Sequence, residues 1–112
     1  MMDNIKPSTQ IDSELVCNYF RNLVNQFFKI LPMREIDEVS LPIYIESLYS
    51  ELLGCGNVVD GLNKDAYFLT LLSILRYMMD NPDCSVHSTK RQVFKAISIC
   101  NKLKAQFTEG GA

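Results

Sequence analysis

Hydrophobic residues recur every three or four positions in four segments of the chain, which is the spacing of amphipathic α-helices. The first segment has an apolar stripe on one side and mainly polar residues on the other. The stripe consists of Val16, Phe20, Leu23, Val24, Phe27, Ile30 and Leu31. Asp12 or Ser13 can cap the start of this helix. Pro32 is expected to end it, because proline lacks the amide donor and clashes with the preceding turn.

The second segment repeats apolar residues at Leu41, Ile45, Leu48 and Leu52. Ser40 is placed to begin this helix, with Pro42 in the first turn, where a missing amide donor costs little. Gly54 and Gly56 are expected to end it, since glycine enters the left-handed conformation most readily.

The third segment, Ala66 to Met79, is apolar over most of its circumference. Asn63 or Asp65 can cap it. Its apolar arc covers roughly 160°, wider than the stripe of about 100° on an ordinary surface helix. With 14 residues, it is shorter than the roughly 20 that span a bilayer. We therefore expect this helix at the centre of a helical assembly.

The other side of the third helix lacks the charged face of a solvated helix, and it is our candidate partner interface. The residues assigned to this interface are Ala66, Leu69, Thr70, Ser73 and Tyr77, extended by Tyr44 and Tyr49 on the second helix. The small residues would let another helix approach closely, and tyrosine suits a contact that stays partly wet. A protein partner or a second copy of the chain is the expected occupant.

A hydrophilic link, Asp83 to Thr89, precedes the fourth helix, for which we predict a cap at Ser88 and an end at Phe107. On the side away from its apolar stripe this helix carries a basic line with one aromatic residue. These residues are Arg91, Phe94, Lys95 and Lys102. Such a line can contact an acidic protein or the phosphates of a nucleic acid, or it can simply face solvent.

No segment alternates with period two, so the sequence predicts an all-α fold. Short connections favour antiparallel neighbours, which indicates a four-helix bundle or a compact irregular helical domain that oligomerisation could complete. We assign residues 1–11 to a flexible arm, residues 12–108 to one domain and residues 109–112 to a flexible end. The 47% of hydrophobic residues fit a globular domain. In the absence of a secretory signal or a membrane span, we expect a cytoplasmic protein with four reduced cysteines.

The net charge of −2 conceals a separation of signs along the chain. Between Glu35 and Asp83 nine acidic residues face two basic ones, whereas Ser85 to Thr108 holds five basic residues and no acid. This polarity affects association and orientation rather than fold.

Motifs for catalysis and metal binding are weak. Cys84 and His87 form one C-x-x-H pair, but tetrahedral structural zinc sites usually show two close pairs and a second pair is missing. His87 is the only histidine, too close to Cys84 in sequence to form a triad, and no glycine-rich phosphate loop begins a helix. A helix-turn-helix is disfavoured because the link before the fourth helix exceeds the usual three or four residues.

The sequence thus predicts a non-enzymatic interaction or accessory subunit, without cofactor or metal, that docks through an apolar helix face. The alternative is a nucleic-acid-binding regulator that uses the basic face of the fourth helix.

Overall fold

A computed structural model describes the backbone of residues 5–110 and the side chains of residues 14–107. It contains four α-helices and, over the described residues, no strand. The helices are α1 (Ile5–Glu35), α2 (Leu41–Val58), α3 (Ala66–Asp80) and α4 (Val86–Gly110), with a 3₁₀ turn, Leu62–Lys64, before α3. The prediction of an all-α fold is confirmed. The molecule measures 50 × 21 × 20 Å along its principal axes.

The four helices are arranged in a ring. The most extensive packing joins α1 to α4, followed by α2 to α3 and α3 to α4, while α1 touches α2 least. The diagonal pairs of this ring, α1 with α3 and α2 with α4, do not pack directly over their described lengths. The bundle therefore has two layers, one made by the long helices α1 and α4 and the other by the shorter α2 and α3.

The α1–α4 seam follows a heptad pattern. Its buried residues are Val16, Phe20, Leu23, Phe27 and Ile30 on α1, and Thr89, Val93, Ala96, Cys100 and Leu103 on α4. Alternating steps of four and three residues average 3.5, the repeat that keeps two helices in contact along a shallow crossing angle. At one end of the seam the rings of Phe20 and Phe107 stack at 6.4 Å. At the other end Arg34 reaches the carbonyl of Cys84, so the two helices run antiparallel.

The end of α1 differs from the prediction. The helix continues through Pro32 to Glu35. Pro32 is exposed and lies in the last turn, so its ring faces solvent and only one hydrogen bond near the end of the helix is lost. Two residues beyond this end, Asp37 turns the chain out of the helix with a left-handed φ of 53°. There the Glu38 N–H donates to the Met33 carbonyl at 2.9 Å and the Asp37 N–H to the Arg34 carbonyl at 3.2 Å, which is a Schellman motif.

The start of α1 also differs, because the helix begins at Ile5 rather than at Asp12 or Ser13. Residues 5–11, assigned to a flexible arm, are therefore helical, while residues 1–4 lie outside the described part of the chain. Similarly, α4 extends to Gly110, and residues 111 and 112 are not described.

The predicted end of α2 at Gly54 and Gly56 is wrong, since the helix continues to Val58. Gly56 serves packing: a Cβ atom there would lie 2.7 Å from the ring of Phe68. The left-handed glycine is Gly61, with a φ of 82°, just before the 3₁₀ turn.

The caps of α3 and α4 are set by two side chains. Asp65 caps α3, as expected, by accepting the N–H groups of Tyr67 and Phe68. Ser88 does not cap α4, which begins two residues earlier at Val86. Its own N–H donates to the Ser85 hydroxyl at 3.0 Å, so the capping side chain is that of Ser85.

Two further features concern the state of the cysteines and the length of the apolar helices. All four cysteines are thiols rather than disulfides, and Cys100 is fully buried in the α1–α4 seam. Burial raises the pKa of the Cys100 thiol to about 12, so it stays protonated at neutral pH. No helix in the described part of the chain is long and apolar enough to cross a membrane.

Candidate interaction surface

The outward side of α3 carries an exposed apolar patch. Its inward side is the buried set Phe68, Leu71, Ile74, Leu75 and Met78. The opposite side holds Leu69 and Tyr77, which are 48% and 41% exposed, together with the exposed small residues Ala66 and Ser73. We call Ala66, Leu69, Thr70, Ser73 and Tyr77 the α3 face. About half of the surface of Leu69 and of Tyr77 therefore remains accessible to solvent.

Thr70 is the least accessible member of the α3 face. Its hydroxyl donates to the Ala66 carbonyl one turn earlier at 2.8 Å. This bond within the helix satisfies the hydroxyl, so Thr70 contributes shape rather than an open hydrogen-bonding group.

The two tyrosines of α2 lie on different flanks of that helix. Tyr49 lies beside Arg76 of α3, and hydrogen bonding to Tyr49, followed by the charge of Asp80, raises the pKa of the Arg76 guanidinium. Tyr44 instead donates its hydroxyl to the Gln26 carbonyl of α1 at 2.9 Å. The structure therefore brings Tyr49 next to the α3 face but places Tyr44 in the α1–α2 groove, so Tyr44 is not part of a common surface with Tyr77.

Leu53 is a member of this surface that the sequence analysis missed. It follows Tyr49 by one helical turn, so it lies on the α3 flank of α2, and it is 41% exposed. The close approach of Gly56 to Phe68 sets the antiparallel register of the two helices and places Leu53 at the level of Leu72. The apolar patch thus continues from the α3 face into the α2–α3 groove.

The basic line of α4 borders the α3 face on its other side. The ammonium group of Lys102 lies 5.4 Å from the centre of the Tyr67 ring, a cation–π distance. Tyr67 and Lys102 mark one level of the two antiparallel helices. At 1.5 Å per residue, Tyr77 lies about 15 Å from that level along α3, and Arg91 lies about 16 Å from it along α4. Arg91 and Tyr77 therefore lie at the same level, with Lys95 between the two ends of the line.

Phe94 lies on the opposite flank of α4 from Lys102. Its ring meets that of Phe28 on α1 edge to face, with centroids 6.1 Å apart. Both side chains stay nearly half exposed. Phe28 was not predicted as a site residue, because only the antiparallel seam brings it to Phe94.

The two layers of the bundle carry opposite charges. Residues 14–34 and 86–107, which make the α1–α4 layer, contain eight basic residues and one acid. The basic residues are Arg21, Lys29, Arg34, Lys90, Arg91, Lys95, Lys102 and Lys104. Residues 35–83, which include α2, α3 and the connections at their ends, contain nine acids and two basic residues. The basic surface is consequently wider than the fourth helix alone suggested.

The C-x-x-H pair has no third potential metal ligand nearby in the described region. Across that region no three His, Cys, Asp or Glu side chains lie close enough together to hold a metal ion. The Cys84 sulfur is instead 3.3 Å from the hydroxyl of Thr89, a buried residue at the start of α4, and His87 is exposed.

Comparison of the chain with protein-family models, with curated proteins and with solved structures finds no match.

Proposed function

We propose that this protein is a small helical interaction subunit that docks through the α3 face onto a partner protein or a second copy of itself in the cytoplasm. The observation that carries the proposal is the exposure of Leu69 and Tyr77 on a helix whose inward side is fully used by the core. Tyr77 is the type of aromatic anchor that is enriched at protein interfaces, and Leu69 and Leu53 add apolar area around it.

The proposed mechanism is helix-face docking. Ala66 and Ser73 leave room between the larger side chains, so a partner helix can approach α3 at the 8–10 Å interaxial distance of packed helices. The basic line of α4 then orients the partner, because charges at the edge of an interface affect association rate and direction more than affinity. No catalytic group is required, and the proposed subunit is not an enzyme.

Replacing both Leu69 and Tyr77 by aspartate is expected to weaken this docking at least about tenfold while leaving the fold intact, because both side chains are exposed. Self-association is measured by analytical ultracentrifugation over a wide concentration range. Docking onto another protein is measured in cells with a photo-crosslinking phenylalanine analogue at position 77. The cross-linked products are compared between the protein with Leu69 and the variant Leu69→Asp.

The matched control places aspartate, or the crosslinker, at Leu15, which is somewhat more exposed and lies on α1. A protein that stays monomeric at every concentration and cross-links no more at position 77 than at position 15 contradicts the proposal.

The second candidate function, nucleic-acid binding, is favoured by one observation: the exposed Phe28–Phe94 pair lies in the basic α1–α4 layer. Aromatic rings among basic side chains can stack on bases of a single strand while the charges contact phosphates. The acidic second layer weighs against high affinity, since it repels the same phosphates.

If this candidate is correct, reversing Arg91, Lys95 and Lys102 to glutamate should abolish binding to a labelled single-stranded oligonucleotide in fluorescence anisotropy at 50 mM salt. Three phosphate contacts imply a slope of log affinity against log salt of about −2. Reversing Lys64 and Arg76, the two basic residues of the other layer, is the control and should leave binding nearly unchanged. Equal effects of the two sets, or no binding at low salt, would exclude this function.

A further inference from the structure

An open cavity of about 460 Å³ lies at the end of the bundle where α1 meets α2 and α3 meets α4. Its volume falls within the range of roughly 300–1,000 Å³ typical of ligand pockets. The floor is apolar and includes Leu41 and Ile45 of α2 with Met78 and Met79 of α3. Methionine side chains adapt their shape easily, so this floor can accept apolar groups of different outline.

The cavity is held in shape by Arg34, which ties the two connections together. Its guanidinium donates from Nη2 and Nε to the Cys84 carbonyl at 2.7 and 3.3 Å, and from Nη1 to the Asp37 carboxylate at 2.6 Å. The Arg34 side chain is mostly buried, and its guanidinium is already bonded to both connections. Arg34 forms an ion pair with Asp37, and its positive charge is therefore not directed at the other carboxylates of the cavity.

Three more carboxylates line the cavity: Glu38, Glu46 and Asp83. Glu38 accepts a bond from the Ser40 hydroxyl at 3.2 Å, which adds no positive charge. Arg34 is the only basic side chain among the lining residues, all of which lie in the described part of the chain. The cavity therefore combines an apolar floor with a negative rim, and it is complementary to an apolar group that carries positive charge beside it.

The apolar surface extends beyond the cavity itself. Val39 and Ile43 stand on the rim and are 89% and 67% exposed. A small molecule that fills the cavity leaves these two side chains in water, whereas a polypeptide segment can cover them while one of its side chains enters the cavity. The shape favours a protein segment as the occupant.

We propose that this end of the bundle is a docking site for a cationic amphipathic segment of a partner protein. One apolar side chain of the segment enters the cavity against Met78 and Met79, and flanking lysine or arginine residues meet Glu46, Asp83 and Glu38. This site is separate from the α3 face and does not depend on the function proposed for that face.

The test uses a 12-residue amphipathic peptide of leucine and lysine, compared with the same peptide carrying glutamine or glutamate in place of lysine. Binding is followed by NMR of the protein's methionine methyl groups. The basic peptide is expected to shift the signals of Met78 and Met79 but not that of Met33, which is outside the cavity lining. The glutamate peptide should shift none of them, and the glutamine peptide should bind at least about tenfold more weakly than the basic one.

Two charge variants with equal net charge separate a specific site from general attraction to an acidic protein. Glu46→Lys with Asp83→Lys should weaken the basic peptide about tenfold or more, whereas Glu51→Lys with Asp60→Lys, both outside the cavity, should change affinity by less than about twofold. Ile43→Gln tests the apolar rim and should weaken binding about fivefold without affecting the fold.

The proposal is overturned if both charge variants weaken the peptide equally, or if the methionine signals stay unmoved at peptide saturation. The variant with aspartate at Leu69 and Tyr77 should bind the basic peptide normally, so a failure of the α3 face and a failure of this site are told apart.

Discussion

Phe27→Ala is expected to lower the free energy of unfolding by about 3–5 kcal/mol, the usual cost of removing a fully buried phenylalanine. Phe27 is fully buried within the heptad stripe of α1. Its removal takes away the apolar contacts of the ring and leaves a cavity between α1 and α4. Since small domains are stable by only about 5–15 kcal/mol, the variant should unfold at a much lower urea concentration.

The neighbouring Phe28 provides the control. It is 43% exposed and contacts Phe94 edge to face. Phe28→Ala is expected to cost only about 1–2.5 kcal/mol, because the ring is only partly buried and the edge-to-face pair adds at most about 1.5 kcal/mol. Urea unfolding followed by circular dichroism compares the two variants. A larger cost for Phe28→Ala than for Phe27→Ala would mean that the stripe of α1 is rotated by one residue, and equal costs would mean that the described seam is wrong.

Gly56→Ala is expected to destabilise the protein by about 2–3 kcal/mol, although alanine is the better helix former. The new Cβ would lie 2.7 Å from two ring atoms of Phe68, a buried side chain with little freedom to move. Gly54→Ala should have the opposite effect and stabilise by up to about 1 kcal/mol, because no atom lies within 4 Å of its added Cβ.

The same unfolding experiment measures this pair. Combining Gly56→Ala with Phe68→Leu should recover part of the loss caused by the glycine change alone, because the smaller side chain gives way. If both glycine variants were stabilising, α2 and α3 would be further apart than described. If both were destabilising, α2 would end near Gly54, as its glycines first suggested.

The apolar stripes were sufficient to predict the helices and most of their inward sides. The stripe of α1 is buried at five of the seven positions named from the sequence, and Val24 and Leu31 pack partly against the core. The ends of the helices were harder, because local signals compete there. Pro32 is tolerated where its ring faces water, and Asp37, not a glycine, takes the left-handed position.

Pairwise relations between helices were not accessible from the sequence. Gly54 and Gly56 are the same residue type two positions apart, and only the position of Phe68 distinguishes them. For the same reason Tyr44 was grouped with Tyr77, although the flank of α2 that carries Tyr44 faces α1.

The candidate surface could be predicted only in part. The exposure of Leu69 and Tyr77 follows from their position around a single helix, and helical periodicity predicts that position from the sequence. Leu53, Phe28 and the cavity at the acidic end each require two elements to be placed together. The separation of charge into layers likewise depends on α1 being the neighbour of α4.

That neighbour relation has a consequence for how the protein is made. The largest interface joins the first helix to the last, and residues 36–85 separate them in the chain. During synthesis α1 leaves the ribosome well before α4 does. The apolar stripe of α1 is therefore exposed to solvent until α4, its main packing partner, has been made. Pairing the two helices must also overcome the entropy of closing this loop, and until they pair the stripe stays open to non-native contacts. The nascent chain is therefore most exposed to chaperones and proteases just before its final helix emerges.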